Sequence, residues 1–272
     1  MSGGTLASSS RSRMFIRAAL LVALIMTSVG PLLLLVATSL SGSWFFPAML
    51  PSVWTNDGWR QQMGGATLGR AFLTSVALAL ATGVFAAAIA LPLGRAMAHL
   101  HGWRRHVTAA AAFLPVAAPP LALGTGLQVI LLRLGLGGTA TGVLLAHMVP
   151  AIGYLSLIFL GTFTLFDERA EHEARTLGAT LAQTWRRVTL PLLKPQIAEA
   201  MIVGFLISWS QFALTLVVGG GEVRALPLEV FAFVRAGQEQ RAAIGALLLV
   251  IPPAAAFVVL RWAANRTAVR AA

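Results

Sequence analysis

Long apolar runs dominate this chain of 272 residues and decide what it can fold into. Each run is long enough, at a helical rise of about 1.5 Å per residue, to cross a hydrocarbon core of about 30 Å. Backbone groups in lipid must satisfy their own hydrogen bonds, so such runs fold as helices. The predicted spans are residues 18–40, 71–94, 107–132, 143–166, 196–219 and 242–260. We therefore predict an all-α integral membrane protein with six transmembrane helices.

The charge of the chain lies in the loops and predicts its orientation. Hydrophobic residues make up 57% of the chain and charged residues only 11%, whereas a soluble protein carries about 25% charge. The net charge of +11 is spread over the loops, so it is typical of a topology signal and not of a nucleic-acid interface. Of the 20 basic residues, 14 fall on the side that would hold both termini. This bias predicts that both termini are cytoplasmic.

The same pattern predicts the domain organisation. We expect a cytoplasmic tail at 1–14, a first transmembrane helix and external loop at 15–67, and a core at 68–262. The core would contain five helices and a cytoplasmic loop at 167–195, and a second tail would follow at 263–272. The first apolar run exceeds the 7–15 residues typical of a signal peptide, so we expect it to be retained.

Motifs for catalysis are missing from the sequence. A phosphate-binding loop needs Gly-Lys-Ser/Thr, but the single lysine, Lys194, stands between Leu193 and Pro195. The chain also has no cysteine, which excludes disulfides and thiolate metal sites. We predict no catalytic residue, no metal and no cofactor on this chain, so that any ATP would bind a separate polypeptide. The histidines at 99, 101 and 106 fit an interfacial position better than a metal site.

The segment Glu171–Pro191 carries the most organised pattern outside the spans. Gly178 is expected to divide it into two short helices, and Pro191 to end the second. Apolar residues recur at roughly helical spacing, which predicts one apolar face on a helix lying along a membrane or a partner. These residues are Leu177, Leu181, Trp185 and Val188. An ordinary amphipathic loop is the alternative interpretation.

The segment resembles the EAA loop of permease subunits of binding-protein-dependent type I ABC importers. In that family Glu-Ala-Ala is followed by three residues, Gly, nine residues and Ile-x-Leu-Pro. Here the triad reads His172-Glu173-Ala174, and the matching positions are Gly178, Ala179, Leu190 and Pro191. The resemblance implies a multi-pass protein of the bacterial inner membrane with six transmembrane helices. It also implies a coupling helix that docks in a groove on a separate ATPase subunit.

Several expectations for individual residues follow from this resemblance. Either Glu171 or Glu173 would form the ion pair with the ATPase, and Leu181 and Trp185 would transmit movement to the membrane helices by packing. The implied partners are ATPase subunits, a second permease subunit that is identical or homologous, an extracytoplasmic solute-binding protein and the lipid bilayer. Nucleic acid is not among them.

A polar cluster in the fifth span is the candidate substrate pathway. It comprises Ser208, Trp209, Ser210 and Gln211. Polar groups at this depth must face protein or water, so they either join helices or line the pathway. Ser208–Phe212, the glycines at 219–221 and Leu226–Leu228 resemble the polyamine, thiamine and ferric-iron branch of these permeases. His147, inside the fourth span, is either a neutral hydrogen-bonding partner of a neighbouring helix or a functional residue.

Two other classes of function remain open from sequence alone. An ion-coupled secondary transporter would usually carry acids inside its spans, and here the acids lie at or beyond the span ends. A non-transporting membrane scaffold or assembly factor is the third possibility.

Overall fold

Long apolar helices account for most of the molecule. The computed structural model describes residues 5–44 and 48–271, and four helices in this part are long and apolar enough to cross a membrane. These helices are α1 (Thr5–Ser39), α3 (Ala66–His99), α6 (Ala140–Thr164) and α13 (Glu239–Ala271). The first and last of them extend into the ranges predicted as terminal tails.

Two further pairs of helices are together long and apolar enough to form a span, although the two helices of each pair meet at a sharp bend. Helices α4 (Trp103–Ala117) and α5 (Pro120–Arg133) meet at 97°, and the segment Leu181–Leu192 meets α10 (Lys194–Trp209) at 73°. If each pair counts as one span, the described residues provide up to six.

The bend in the third span has its cause in two consecutive prolines. Ala118 and Pro119 each precede a proline, and their ψ angles of 139° and 127° are extended. A residue before proline is pushed out of the α region by a clash with the proline ring. The region predicted as one helix, 107–132, is therefore two.

The fifth span is also interrupted. Helix α10 ends at Trp209, and α11 (Phe212–Gly219) begins after two intervening residues. Gln211 lies between them with φ −80° and ψ 86°, outside the helical region. The continuous helix predicted for 196–219 is thus two helices joined through Ser210 and Gln211.

The chain divides into two compact units. The first comprises residues 1–66 and 230–248. In it β1 (Ser41–Ser43) pairs antiparallel with β2 (Val53–Trp54), and α2 (Asp57–Gly64) follows. The second comprises residues 67–229 and 249–272. Its short elements are α7 (Arg169–Thr176), α8 (Leu181–Thr184), a π-helical turn (Trp185–Thr189) and α9 (Leu190–Leu192). Helix α12 (Leu226–Arg235) begins in the second unit.

The core of the second unit lies where α3, α6 and α10 cross. Ala90 of α3, Leu155 and Phe159 of α6 are among its fully buried members. Helices α3 and α10 approach closely at Gly83 and Gly204, because a Cβ on Gly204 would lie 3.0 Å from the Cα of Gly83. Small residues allow such close backbone contact between membrane helices.

Candidate functional site

The turn at Gly178 reverses the chain between α7 and α8. Gly178 has φ +88°, a left-handed conformation that costs glycine little because it lacks a Cβ. Its N–H donates to the carbonyl of Arg175, and the N–H of Ala179 donates to the carbonyl of Ala174, both at 3.0 Å. These two bonds form a Schellman motif, which ends α7. The predicted division of the segment at Gly178 is confirmed.

Helix α8 begins with a capping box. The Thr180 hydroxyl accepts from the Gln183 N–H at 3.3 Å, and the Gln183 side-chain oxygen accepts from the Thr180 N–H at 2.8 Å. Each side chain satisfies a backbone donor that the first helical turn leaves free. The part of the segment that follows Gly178, called its second arm below, therefore starts at a defined residue.

The second arm continues past the point where it was expected to end. After α8, the N–H of Leu190 donates to the carbonyl of Trp185, the long-range pattern of a π-helical turn. Pro191 lies in the first turn of α9, where a missing N–H is tolerated. The prediction that Pro191 ends the helix is wrong, since the chain stays helical to Leu192 and bends at Leu193.

A charged cluster anchors the segment to the end of α3. Arg95 donates from both terminal nitrogens to the two carboxylate oxygens of Glu171, at 2.8 and 2.6 Å. The Thr189 hydroxyl donates to the same carboxylate at 2.5 Å. The side chains of Arg95 and Glu171 are 19% and 8% exposed. This Arg95–Glu171–Thr189 cluster, called the charged joint below, ties α3, α7 and the π-helical turn together.

The charged joint also shifts the titration of its carboxylate. The hydrogen bond from Arg95 lowers the pKa of Glu171, with a smaller contribution from the Thr189 hydroxyl, while burial acts in the opposite direction. A carboxylate that accepts charge-assisted bonds stays ionised to lower pH than a free one.

Trp185 packs on the inner side of the charged joint. The Arg95 guanidinium lies 5.0 Å from the centroid of the Trp185 ring and 5.6 Å from that of Phe163 on α6. The two rings are 6.5 Å apart. Trp185 therefore contacts side chains from two membrane helices, as the prediction that it packs against them requires.

The remaining predicted coupling residues are distributed over two faces. Leu177 and Leu181 are 88% and 66% exposed, so the apolar face expected along the segment turns outward in its first half. The residues with exposed side chains or backbone are His172, Glu173, Leu177, Gly178, Leu181 and Pro191, and those partly buried are Ala174, Ala179, Trp185, Val188 and Leu190. A groove of about 340 Å³ runs along the outward face between Ala174 and Val188.

The polar cluster of the fifth span separates into packed and accessible residues. Trp209 is buried, donates from Nε1 to the carbonyl of Leu249 at 3.0 Å and stacks on Phe205 at 5.8 Å. Ser208 is also buried. Ser210 is exposed and Gln211 half-buried, and both lie at the break between α10 and α11. A role for Ser210 and Gln211 in lining the substrate pathway stays a prediction.

Comparison with known proteins decides the class of the chain. Residues 90–268 match the family described as "Binding-protein-dependent transport system inner membrane component". The permease ModB of the molybdenum transport system of Mycobacterium tuberculosis is 31% identical over 205 residues, 70% of this chain and 76% of ModB. This chain belongs to that family. It is a membrane-spanning permease of a binding-protein-dependent ABC importer.

Other relatives agree with this assignment of the permease. PotC of the spermidine/putrescine transport system of Haemophilus influenzae is 25% identical and covers 83% of this chain and 87% of its own. PotI of the putrescine system of Escherichia coli K12 is 28% identical over 76% and 75% of the two chains. The expected likeness to a branch that includes polyamine permeases is consistent with both.

The fold of the permease matches a solved importer. The structure of a bacterial ABC transporter for import of the acidic polysaccharide alginate superposes with a TM-score of 0.68 at 15% identity, over 97% of this chain and 98% of that one. A bacterial alginate ABC transporter in complex with an alginate pentasaccharide-bound periplasmic protein gives a TM-score of 0.65 at 14% identity, over 96% of each chain. The prediction of a type I permease fold is confirmed, and the family favours an importer over a secondary carrier or a scaffold.

Sequence reasoning missed two members of the charged joint. In the sequence, Arg95 is one of the basic residues that make up the topology signal, and Thr189 occupies the variable position of the Ile-x-Leu-Pro motif. An arginine one turn before the end of α3, directly after the uncharged stretch 71–94, could have suggested a partner. Nothing in the linear pattern identifies that partner as Glu171, which lies 76 residues away.

Proposed function

We propose that this permease forms part of the translocation pathway of an ATP-driven solute importer and is driven through residues 171–191. Separate ATPase subunits would bind and hydrolyse ATP, because the sequence offers no phosphate-binding loop of its own. A second permease subunit, identical or homologous, would complete the pathway. An extracytoplasmic solute-binding protein would deliver the cargo.

The charged joint is the observation that carries this proposal. Arg95 at the end of α3 binds the Glu171 carboxylate, which lies before Gly178, and Thr189, which lies after Gly178, donates to the same carboxylate. Movement of the outward face is therefore transmitted to a membrane helix without bending the segment. Helix α3 in turn contacts α10 at Gly83 and Gly204. A displacement of this unit would shift the pathway between two arrangements of packed helices.

We assign the contacts with the ATPase to exposed residues of the segment that take no part in the charged joint. Both carboxylate oxygens of Glu171 are already hydrogen-bonded within the permease. Glu173 is exposed, so it is the acid we assign to an ion pair with the ATPase. Leu177 and Leu181 would supply the apolar part of the interface, since a large exposed apolar side chain beside a groove is typical of a docking surface.

The orientation follows from the same assignment. The ATPase is cytoplasmic, so residues 171–191 and both termini would face the cytoplasm, in agreement with the excess of basic residues on that side. The cargo would be a small solute. Relatives named for molybdenum, spermidine/putrescine and trehalose match this chain over similar lengths, so we propose no single compound.

Replacing Gly178 by aspartate tests the coupling role. The change adds a side chain at φ +88°, on the face proposed to meet the ATPase. We expect Gly178→Asp to insert into the membrane normally but to lose copurification with the ATPase subunits and to lose uptake. Gly221→Asp is the matched control, because Gly221 has φ +87° and equally open surroundings in a loop remote in sequence from the segment. A Gly178→Asp permease that retains its ATPase and transports would contradict the proposal.

A further inference from the structure

His147 links the two halves of the broken fifth span. It lies on α6 and is 2% exposed. Its Nδ1 lies 2.8 Å from the Ser208 hydroxyl on α10, and its Nε2 lies 2.9 Å from the Thr215 hydroxyl on α11. Ser208 precedes the break at Ser210 and Gln211, and Thr215 follows it. One imidazole ring therefore spans the interruption from a third helix.

The hydroxyl protons fix the direction of this network. Thr215 donates its only hydroxyl proton to the carbonyl of Gln211 at 2.6 Å. Toward His147 the Thr215 oxygen can therefore only accept, so His147 carries its proton on Nε2. In the neutral ring Nδ1 is then an acceptor and receives the Ser208 hydroxyl. The chain of donors runs from Ser208 through His147 and Thr215 to Gln211, and every member is uncharged.

The last acceptor in this chain is the backbone at the break itself. Gln211 is the N-cap residue of α11, so its carbonyl accepts the first backbone bond of that helix as well as the Thr215 hydroxyl. Polar backbone at membrane depth is tolerated only where protein or water satisfies it. The side chain of Gln211 makes no hydrogen bond to the described residues and is half-buried. The network thus holds the backbone of Gln211 and leaves its carboxamide available.

We infer that His147 is a positioning residue of the translocation pathway, which acts as an uncharged staple across the α10–α11 break and holds Gln211 toward the passing solute. The staple does not touch the solute. It acts through Thr215 and the Gln211 backbone, and it is independent of the coupling segment. If the staple only packed helices together, its loss would leave the accessibility of position 211 unchanged.

Cysteine labelling of position 211 tests the staple without knowledge of the cargo. The chain has no cysteine of its own, so Gln211→Cys introduces a single reactive site. Its rate of reaction with a water-soluble methanethiosulfonate is measured in membrane vesicles, alone and combined with changes at His147. We expect His147→Leu to change this rate roughly five-fold or more. His147→Gln should restore it, since a carboxamide supplies both an acceptor and a donor.

The controls separate a local change from loss of the fold. Thr67→Cys, an exposed site near the start of α3, is expected to react at the same rate in every background. If His147→Leu does not fold, Thr215→Val removes the bonds to His147 and to the Gln211 carbonyl with a side chain of the same shape. It should shift the rate at position 211 in the same direction. An unchanged rate in Thr215→Val, or in a folded His147→Leu, would overturn the inference. Copurification with the ATPase is a separate readout, so this result stands or falls independently of the coupling role.

Discussion

The charged joint and the His147 staple solve the same problem with different chemistry. Each brings together three side chains from separate elements of the chain, at 95, 171 and 189 in one and at 147, 208 and 215 in the other. The charged joint contains two ionised groups. The staple contains none, although a histidine lies at its centre.

Their depth in the permease explains the difference. The charged joint lies one turn from the end of α3, where Arg95 keeps 19% of its side chain exposed. The His147 ring lies inside α6 and is closed off from solvent. Charge is costly within a bilayer, whereas neutral hydrogen bonds between membrane helices stabilise modestly and leave no ion to solvate. A membrane protein can therefore use ion pairs near the ends of its helices, where they give strong and oriented contacts. Inside the membrane it must use neutral hydrogen-bonding groups.

The largest effect is expected from breaking the ion pair on one side only. Glu171→Leu leaves the Arg95 guanidinium partly buried without its partner, which should cost about 2–4 kcal/mol of folding free energy. The double variant Arg95→Met/Glu171→Leu removes both charges and should recover most of that loss. Thermal unfolding in detergent measures both. A double variant as unstable as the single one would show that the charged joint does not depend on pairing.

Two threonines allow the regions to be compared directly. Thr189→Val removes a bond to a carboxylate and should cost about 2 kcal/mol, because bonds to charged groups are the stronger ones. Thr215→Val removes bonds to a neutral ring and a carbonyl, and should cost about 1 kcal/mol. Both residues are fully buried, so the two substitutions are matched in burial and shape. If Thr215→Val lowered the unfolding temperature more than Thr189→Val does, the proposed difference in strength between the charged joint and the neutral staple would be wrong.

The smallest effect is the pH dependence of the charged joint. The pKa of Glu171 is lowered from its ordinary value of 4.5 by the hydrogen bond from Arg95. Its contribution to stability is therefore complete above about 4.5 and is lost as pH falls through the lower folded-state pKa. The difference in unfolding temperature between the unmodified chain and Glu171→Gln should stay constant from neutral pH down to about pH 4.5 and should shrink at lower pH. A decline that begins well above 4.5 would point to another group.

The parts of this structure that sequence predicts are those set by local chemistry. The spans follow from apolar length, and the turn at Gly178 follows from glycine between two helical patterns. Adjacent prolines near 119 gave a signal for a break, although not for its 97° angle. The break at Ser210 has no proline or glycine to mark it. Its link to His147, which is 61 residues from Ser208 and 68 from Thr215, exists only in the folded chain.

The π-helical turn has a consequence for how this permease can vary. The turn places Trp185 against Arg95 while Thr189 reaches Glu171, because the turn holds an extra residue relative to an α-helix. Loss or gain of one residue there would rotate everything that follows by about 100°. Most surface loops tolerate insertions, but we expect this turn to tolerate neither an insertion nor a deletion, because either one would separate Trp185 from Arg95 or Thr189 from Glu171.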